Sequence, residues 1–225
     1  MSDFLDSFAN WDSLVQVHQL LLQGLWLTGL LSVVSLPLAL VAGLLAAVAF
    51  LSGLRWVRWG LLGLIDIPRA FPVIVLLILI FYGLPFLGVR LSNFGAVVLA
   101  LVLNNAAYYA EIFRAGLEAV PQGQTQAAQA LGLRRLQAIR LVVLPQAIRR
   151  VVAPLATNSL ELVKETSIAA MVALPELLRS ARVGQDQTYN PTPLMAAALI
   201  YGVILWPFAR LTARLERRML LWEAR

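Results

Sequence analysis

Three polar side chains interrupt an apolar stretch of the chain at a helical spacing. Asn104, Tyr108 and Glu111 stand at i, i+4 and i+7, on one face of a helix, with Asn105 beside them. A second set follows: Thr157, Glu161 and Lys164 share a helical face, and Asn158 and Glu165 adjoin it. Side chains of these types can bind and orient a polar solute, and a carboxylate such as Glu161 can pair with a cation. They offer no constellation for covalent catalysis, and no catalytic residue is expected. The chain has no cysteine and a single histidine, His18, with no ligand cluster around it, so no metal site is expected. Two readings stay open for the polar residues: hydrogen bonds that hold helices together, or groups lining a cavity through which a ligand passes. Glu161 is the strongest ligand-facing candidate, and Lys164, within helical reach, is its competing partner. Lys164 and Glu165 can also pair locally. Asp66, Arg69 and Glu111 read equally well as pairs at one end of the bundle.

What must position these groups is an apolar scaffold. Of 225 residues, 60% are hydrophobic and 13% charged, against about 25% charged in an ordinary soluble domain. Mean hydropathy is +0.78. Too few polar residues exist to cover a soluble fold of this size, so lipid is the expected solvent and the fold class is an all-α integral membrane protein. The net charge of +6 does not point to nucleic acid, because the basic residues lie between apolar runs and not on a polar face. Met1 to Asp12 carries Asp3, Asp6 and Asp12 without a basic stretch, so no cleaved signal peptide is expected.

A spanning helix needs about 20 mainly apolar residues. Five runs qualify approximately: Leu20 to Leu51, with a kink expected at Pro37; Phe71 to Phe86, after a broken stretch holding Asp66, Pro68, Arg69 and Pro72; Asn93 to Phe113; Val151 to Met171, polar for a span; and Leu194 to Leu211. Residues 1–225 form one domain on this reading. With the N-terminus outside, the cytoplasmic pieces hold Arg55, Arg58, Arg114, Arg134, Arg135, Arg140, Arg149, Arg150, Arg210, Arg214, Arg217, Arg218 and Arg225, thirteen of the 18 basic residues. The positive-inside rule therefore favours an outside N-terminus and a cytoplasmic C-terminus.

The cytoplasmic segment Gln126 to Pro145 reads QAAQALGLRRLQAIRLVVLP. Gln, Ala and Leu between Gln122 and Leu136 favour helix, Pro121 suits its first turn, and Gly132 can end it. The expectation is a short helix lying across the membrane surface, or else a plain surface loop. The segment resembles the EAA loop of ABC importer permeases, E-A-A-x3-G-x9-I-x-L-P. Ala127, Ala128, Gly132, Leu144 and Pro145 fit at the right spacing, while Gln126 replaces the glutamate and Val142 the isoleucine.

Further stretches, in order along the chain, are similar to the histidine/glutamine type of polar amino-acid permease. They are Arg69 to Pro72 with Phe81-Tyr82-Gly83-Leu84-Pro85, Leu103 to Tyr108 with Ala110 to Gly116, Leu162 to Ser167, Pro175 to Leu178 and Tyr189-Asn190-Pro191. The resemblance implies a type I importer permease fold of about five membrane helices, with a coupling loop at about 121–145 in the bacterial inner membrane. It also implies partners: a second permease subunit, identical or paralogous, two cytoplasmic ATPases gripping the loop, and an external binding protein that delivers an amino acid. The chain has no G-x-x-x-x-G-K-[ST] loop and binds no cofactor of its own on this reading; ATP and magnesium belong to the partner ATPases. A permease for another small solute such as methionine, a channel or secondary transporter without an ATPase, and a membrane scaffold are the alternative readings.

Overall fold

A computed structural model describes residues 8–50 and 55–223; the features read at Asp3, Asp6, Leu51 and Arg225 lie outside them. The elements are helices throughout: α1 (Trp11–Phe50), α2 (Arg55–Ala70), α3 (Val73–Ile78), α4 (Asn93–Glu118), α5 (Gln122–Ala130), α6 (Arg135–Ala138), α7 (Leu144–Glu165), α8 (Leu177–Thr188) and α9 (Thr192–Glu223).

Helix α1 begins at Trp11, not at Leu20, because polarity does not prevent a capped start. The Asn10 side chain accepts a hydrogen bond from the Ser13 N–H at 2.9 Å, which satisfies an otherwise unpaired donor of the first turn. The helix runs through Pro37 without interruption. Its buried stripe is Val17, Leu21, Gly24, Thr28, Leu31, Ser35, Ala39, Gly43 and Ala47, mostly small residues that let a neighbouring backbone approach. Many of its other large apolar side chains, including Trp26, Val33, Val41 and Leu45, point outward. That arrangement inverts the soluble pattern and places lipid outside.

Helices α2 and α3 meet at a 105° bend. The expected break lies at Phe71 and Pro72, while Asp66, Pro68 and Arg69 are inside α2; a residue preceding proline is disfavoured in the helical region. Two π turns, Leu79–Gly83 and Ile139–Val143, each end two residues before a proline, Pro85 and Pro145. In both, the proline ring excludes the carbonyl four residues back, and the ladder widens by one residue just ahead of it.

Helices α1, α4 and α9 (to Met219) are long and apolar enough to cross a membrane, and the bent pair Trp59–Leu87 makes a fourth. The expected span Val151 to Met171 is instead α7, starting at Leu144, followed by a 3-10 turn at Thr166–Val172. With Arg149, Arg150, Glu161, Lys164 and Glu165 along it, α7 is the most polar of the long helices. Helix α4 passes Phe113 to reach Glu118, where Arg114 pairs with Glu118 one turn on at 2.6 Å.

The core lies where α1 and α4 pack along their length, with Leu31, Leu77, Val97, Leu101, Ala169 and Val172 fully or almost fully enclosed. Helix α8 docks on the first half of α1. A Cβ on Gly24 would lie 2.5 Å from Ser180 Oγ and 2.9 Å from the Glu176 carbonyl, so the close approach of these two helices requires glycine there.

Candidate functional site

The face formed by Asn104, Tyr108 and Glu111 meets the end of α2. Asn104 is buried, and its Nδ2 donates to the Pro68 carbonyl at 2.9 Å and the Phe71 carbonyl at 3.4 Å. The Pro68 carbonyl would normally receive an N–H from residue 72, and Pro72 has none; Asn104 supplies the missing donor. One and two turns further, the Arg69 guanidinium sits 5.4 Å from the Tyr108 ring centre and 3.8 Å from the Glu111 carboxylate. Asp66 also approaches Arg69 at 4.0 Å, and Arg114 holds Glu111 through two hydrogen bonds. The expected pairing of Asp66, Arg69 and Glu111 is thus formed, and the whole stripe fastens the bend between α2 and α3.

A second polar cluster joins α4 to α7. Asn105, 1% exposed, donates to the Leu101 carbonyl at 3.1 Å and to Glu165 Oε2 at 2.8 Å, and its Oδ1 accepts from Asn158 Nδ2 at 3.0 Å. One turn along, the Tyr109 hydroxyl meets Ser159 Oγ at 3.0 Å. Ser159 donates its own proton to the Leu155 carbonyl, so Tyr109 is the donor in that contact. Tyr109 and Ser159 are absent from the sequence-derived set, although Asn105 and Tyr109 stand at i and i+4 as regularly as Asn104 and Tyr108.

The adjoining face of α7 is different. Glu161 accepts from Lys164 Nζ at 2.7 Å, and their side chains are 52% and 46% exposed. Thr157 donates to Glu216 of α9 at 2.8 Å, a partner that helical spacing could not indicate. Glu165 does not join Lys164, because α7 turns it inward to Asn105.

The segment after α4 protrudes from the bundle. Gln126 and Ala127 of α5 are exposed, and Ala128 is buried. Gly132 ends the turn at φ +87°, with Leu133 N–H donating to the Ala128 carbonyl at 3.1 Å and Gly132 N–H to the Gln129 carbonyl at 2.9 Å. This double bond pattern is a Schellman cap, for which a left-handed residue is required. Pro121 stands at the cap, one residue before the first turn expected for it. Leu144 and Pro145 open α7. Arg150 of α7 donates to the Ala119 carbonyl, the exposed C-terminal end of α4, where a cation is favoured.

At the opposite end, Glu176 is fully buried and caps α8, accepting from the N–H groups of Leu178 at 2.8 Å and Arg179 at 2.7 Å, and from the Tyr201 hydroxyl at 3.2 Å. Burial pushes its carboxyl above the usual carboxylate range, opposed by those donors and by Arg182. Thr28 of α1 accepts from the Leu177 N–H at 3.1 Å. Among the described residues no group of His, Cys, Asp or Glu could hold a metal ion.

Comparison with known proteins places this architecture. Residues 39–221 match the family of binding-protein-dependent transport system inner membrane components. The chain belongs to that family. Within it, the permease is 38% identical over 185 residues to a probable amino-acid ABC transporter permease protein, YckA, of Bacillus subtilis (strain 168), covering 81% of each chain. It is 33% identical to the arginine transport system permease protein ArtQ of the same organism, over 88% of this chain and 92% of the relative. The glutamine transport system permease protein GlnP of Escherichia coli (strain K12) is 32% identical, over 93% and 97%. Among solved structures, the permease is similar to an amino acid ABC transporter crystallised with histidines, with a TM-score of 0.85, 34% identity and coverage of 92% and 97%. The methionine transporter MetNI in an inward-facing conformation shares the fold, with a TM-score of 0.69 at 22% identity. The chain is therefore a multi-pass membrane permease subunit of an amino-acid ABC importer, a non-catalytic component.

Proposed function

We propose that this permease carries a polar or charged amino acid to the cytoplasm as one of two membrane subunits, driven by two ATPases that hold ATP and magnesium and fed by an external binding protein. Relatives named for arginine and glutamine support the substrate class. The observation that carries the coupling is the protruding turn from Gln126 to Gly132, capped outside the bundle and buried only at Ala128. The small exposed residues Ala127 and Gly132 let a partner surface come close, while the side chain of Ala128 is turned inward. Leu144 and Pro145 connect that turn to α7, so a push on the loop is delivered to the helix bearing Glu161.

The path runs along α7. Glu161 lines it and recognises a positively charged part of the substrate, with Thr157 and Lys164 on the same face and Asn158 behind; Asn104, Asn105 and Tyr108 support it from α4. The half-exposed setting of Glu161 favours this role, because a carboxylate within a span is retained where water or a counter-charge offsets its cost. The bundle crosses the membrane five times, α7 being the fourth span, with the N-terminus outside. Cysteines at Ser2 and Ala224, residues outside those described, label from opposite sides on this topology; labelling from one side overturns it.

The test of function is purification with the neighbouring subunits, followed by ATPase assays with each of the twenty amino acids. Co-purification of an ATPase stimulated by a few polar or charged amino acids is expected. A channel, secondary transporter or scaffold brings down no ATPase. Gly132→Leu places a side chain at φ +87° and is expected to lower coupled uptake while the complex still assembles. Unchanged uptake by an assembled Gly132→Leu complex removes the loop from the coupling path.

A further inference from the structure

Helix α2 packs on the bundle by one face. Ile65 and Pro68 are buried, and Ile65 shares a cluster with Ala107 and Ala110 of α4 and Ala46 of α1. Trp56, Trp59, Gly60, Leu64 and Ile67 are all exposed, Trp56 at 90%. At 3.6 residues per turn these five positions fall on one side of the helix and Ile65 on the other. A Cβ on Gly60 would meet nothing within 4 Å. The exposed face is apolar from end to end.

The packing of α3 sets what lies against it. Leu77 and Ile80, in α3 and the π turn after it, are enclosed with Ala96, Val97, Ala100 and Leu101 of α4, so α3 runs along α4. The 105° bend then lays α2 across α4. The depth of that crossing follows from the charges. From Asn93 to Ala110, α4 carries no charged residue, and then come Glu111, Arg114 and Glu118, where the hydrocarbon must end. Arg69 of α2 reaches Glu111 at 3.8 Å. Ala107 and Ala110 lie about 6–10 Å short of Arg114 at 1.5 Å per residue. A helix lying in a membrane interface buries its apolar face to about 5–10 Å.

The residue types agree with that depth. Trp settles at the level of the lipid headgroups, and two of the chain's six tryptophans stand on this face. The helix opens Arg55-Trp56-Val57-Arg58-Trp59, with no acid before Asp66, a charge that suits an anionic lipid surface.

We infer that α2 is an in-plane membrane anchor. Its face from Trp56 to Ile67 is seated in lipid at the interface on the Arg114 side, and α3 with the turns after it makes the crossing that leads to α4. The bend at Phe71 and Pro72 is the joint between surface helix and span, and Asn104 holds it through the Pro68 and Phe71 carbonyls. The inference does not depend on which solute is carried or on which side the cytoplasm lies.

The chain has no cysteine, so Gly60→Cys, Leu64→Cys and Ile67→Cys can each be spin-labelled in the assembled transporter, with partner subunits freed of cysteine, in nanodiscs of phosphatidylglycerol and phosphatidylcholine. Electron paramagnetic resonance then compares collision with oxygen, which partitions into lipid, and with a water-soluble nickel chelate. All three labels are expected to favour oxygen and to sit within about 4 Å of one depth, although positions 60 and 67 are about 10 Å apart along the axis. In W56S/W59S the label at position 60 is expected to move toward water, while the one at 67, next to the α4 contact, stays. A label-free measurement is quenching of tryptophan emission by lipids brominated along the acyl chain. The emission that W56F/W59F removes from the parent is expected to be quenched most by bromines nearest the headgroup. A depth change of about 10 Å between positions 60 and 67 makes α2 part of a span and overturns the proposal. Dominant collision with the nickel chelate puts the face in water, and immobile labels reached by neither reagent give it to a second permease or an ATPase; either result overturns the proposal. So does emission from Trp56 and Trp59 that no brominated lipid quenches.

Discussion

Glu161 and Glu165 stand one helical turn apart on α7 and live in different environments. Glu165 faces α4, where Asn105 donates to it at 2.8 Å and Asn158 completes the cluster through Asn105. Glu161 faces away, half exposed, and among the described residues it pairs with Lys164 of its own helix. A polar group that bridges two helices inside a core is fixed by its partners, and leaving any of them unpaired is costly. A pair within one helix on an open face contributes little to stability and stays available to another ligand. The difference separates residues that build this permease from those proposed to face its path.

The largest effect expected from that difference is in the cluster. Asn105→Leu removes the donor to Glu165 and the acceptor of Asn158 at a position 1% exposed. It should destabilise the purified complex by about 3 kcal/mol, the scale for stranding buried polar partners of which one is a carboxyl. Thermal unfolding in detergent measures it, and an unchanged midpoint would show that the cluster does not tie α4 to α7.

An intermediate effect sharpens the contrast with a third carboxyl, outside the spans. Glu176 has a folded pKa raised above its unfolded value by burial. Its contribution therefore favours the folded state most below the ordinary carboxylate value near 4.3, and is lost as pH rises through the raised folded value. The unfolding midpoint of Glu176→Gln should fall less between pH 5 and pH 8 than that of the parent. Parallel pH profiles for the two proteins would remove Glu176 as the source.

The smallest effect on stability belongs to the exposed pair. Glu161→Gln should shift unfolding by less than about 0.5 kcal/mol, yet weaken the response to the transported amino acid, most of all to a cationic one. If Glu161 only neutralises Lys164, the variant assembles poorly and Lys164→Met largely rescues it. A stable Glu161→Gln complex with unaltered uptake and selectivity rules out the substrate role.

How far the site was legible can be followed on particular residues. The spacing of Asn104, Tyr108 and Glu111 marked one face, and that face exists. Its target, the carbonyl of Pro68 left without a donor by Pro72, depends on a 105° bend that brings α2 back along α4. Gly132 was readable as a helix end because a left-handed cap favours glycine wherever it occurs. Leu20 was a poor guide to the start of α1, since apolar content marks the lipid-facing part of a helix and not its capped end at Asn10.

Composition alone determined that lipid is the solvent, because too few polar residues exist to cover the chain. Local order alone determined the loop, since its cap and its flanking proline act over four or five residues. Only the tertiary structure decided which of two neighbouring carboxylates is turned inward, partly buried against α4. Glu161 and Glu165 differ by one helical turn in sequence, and the packing of α7 against α4 turns Glu165 and Asn158 toward Asn105 and leaves Glu161 on the open side. Only it could pair Thr157 with Glu216 or Tyr109 with Ser159. Such contacts join residues some fifty positions apart or more, and helical periodicity carries no information about which helix will lie opposite.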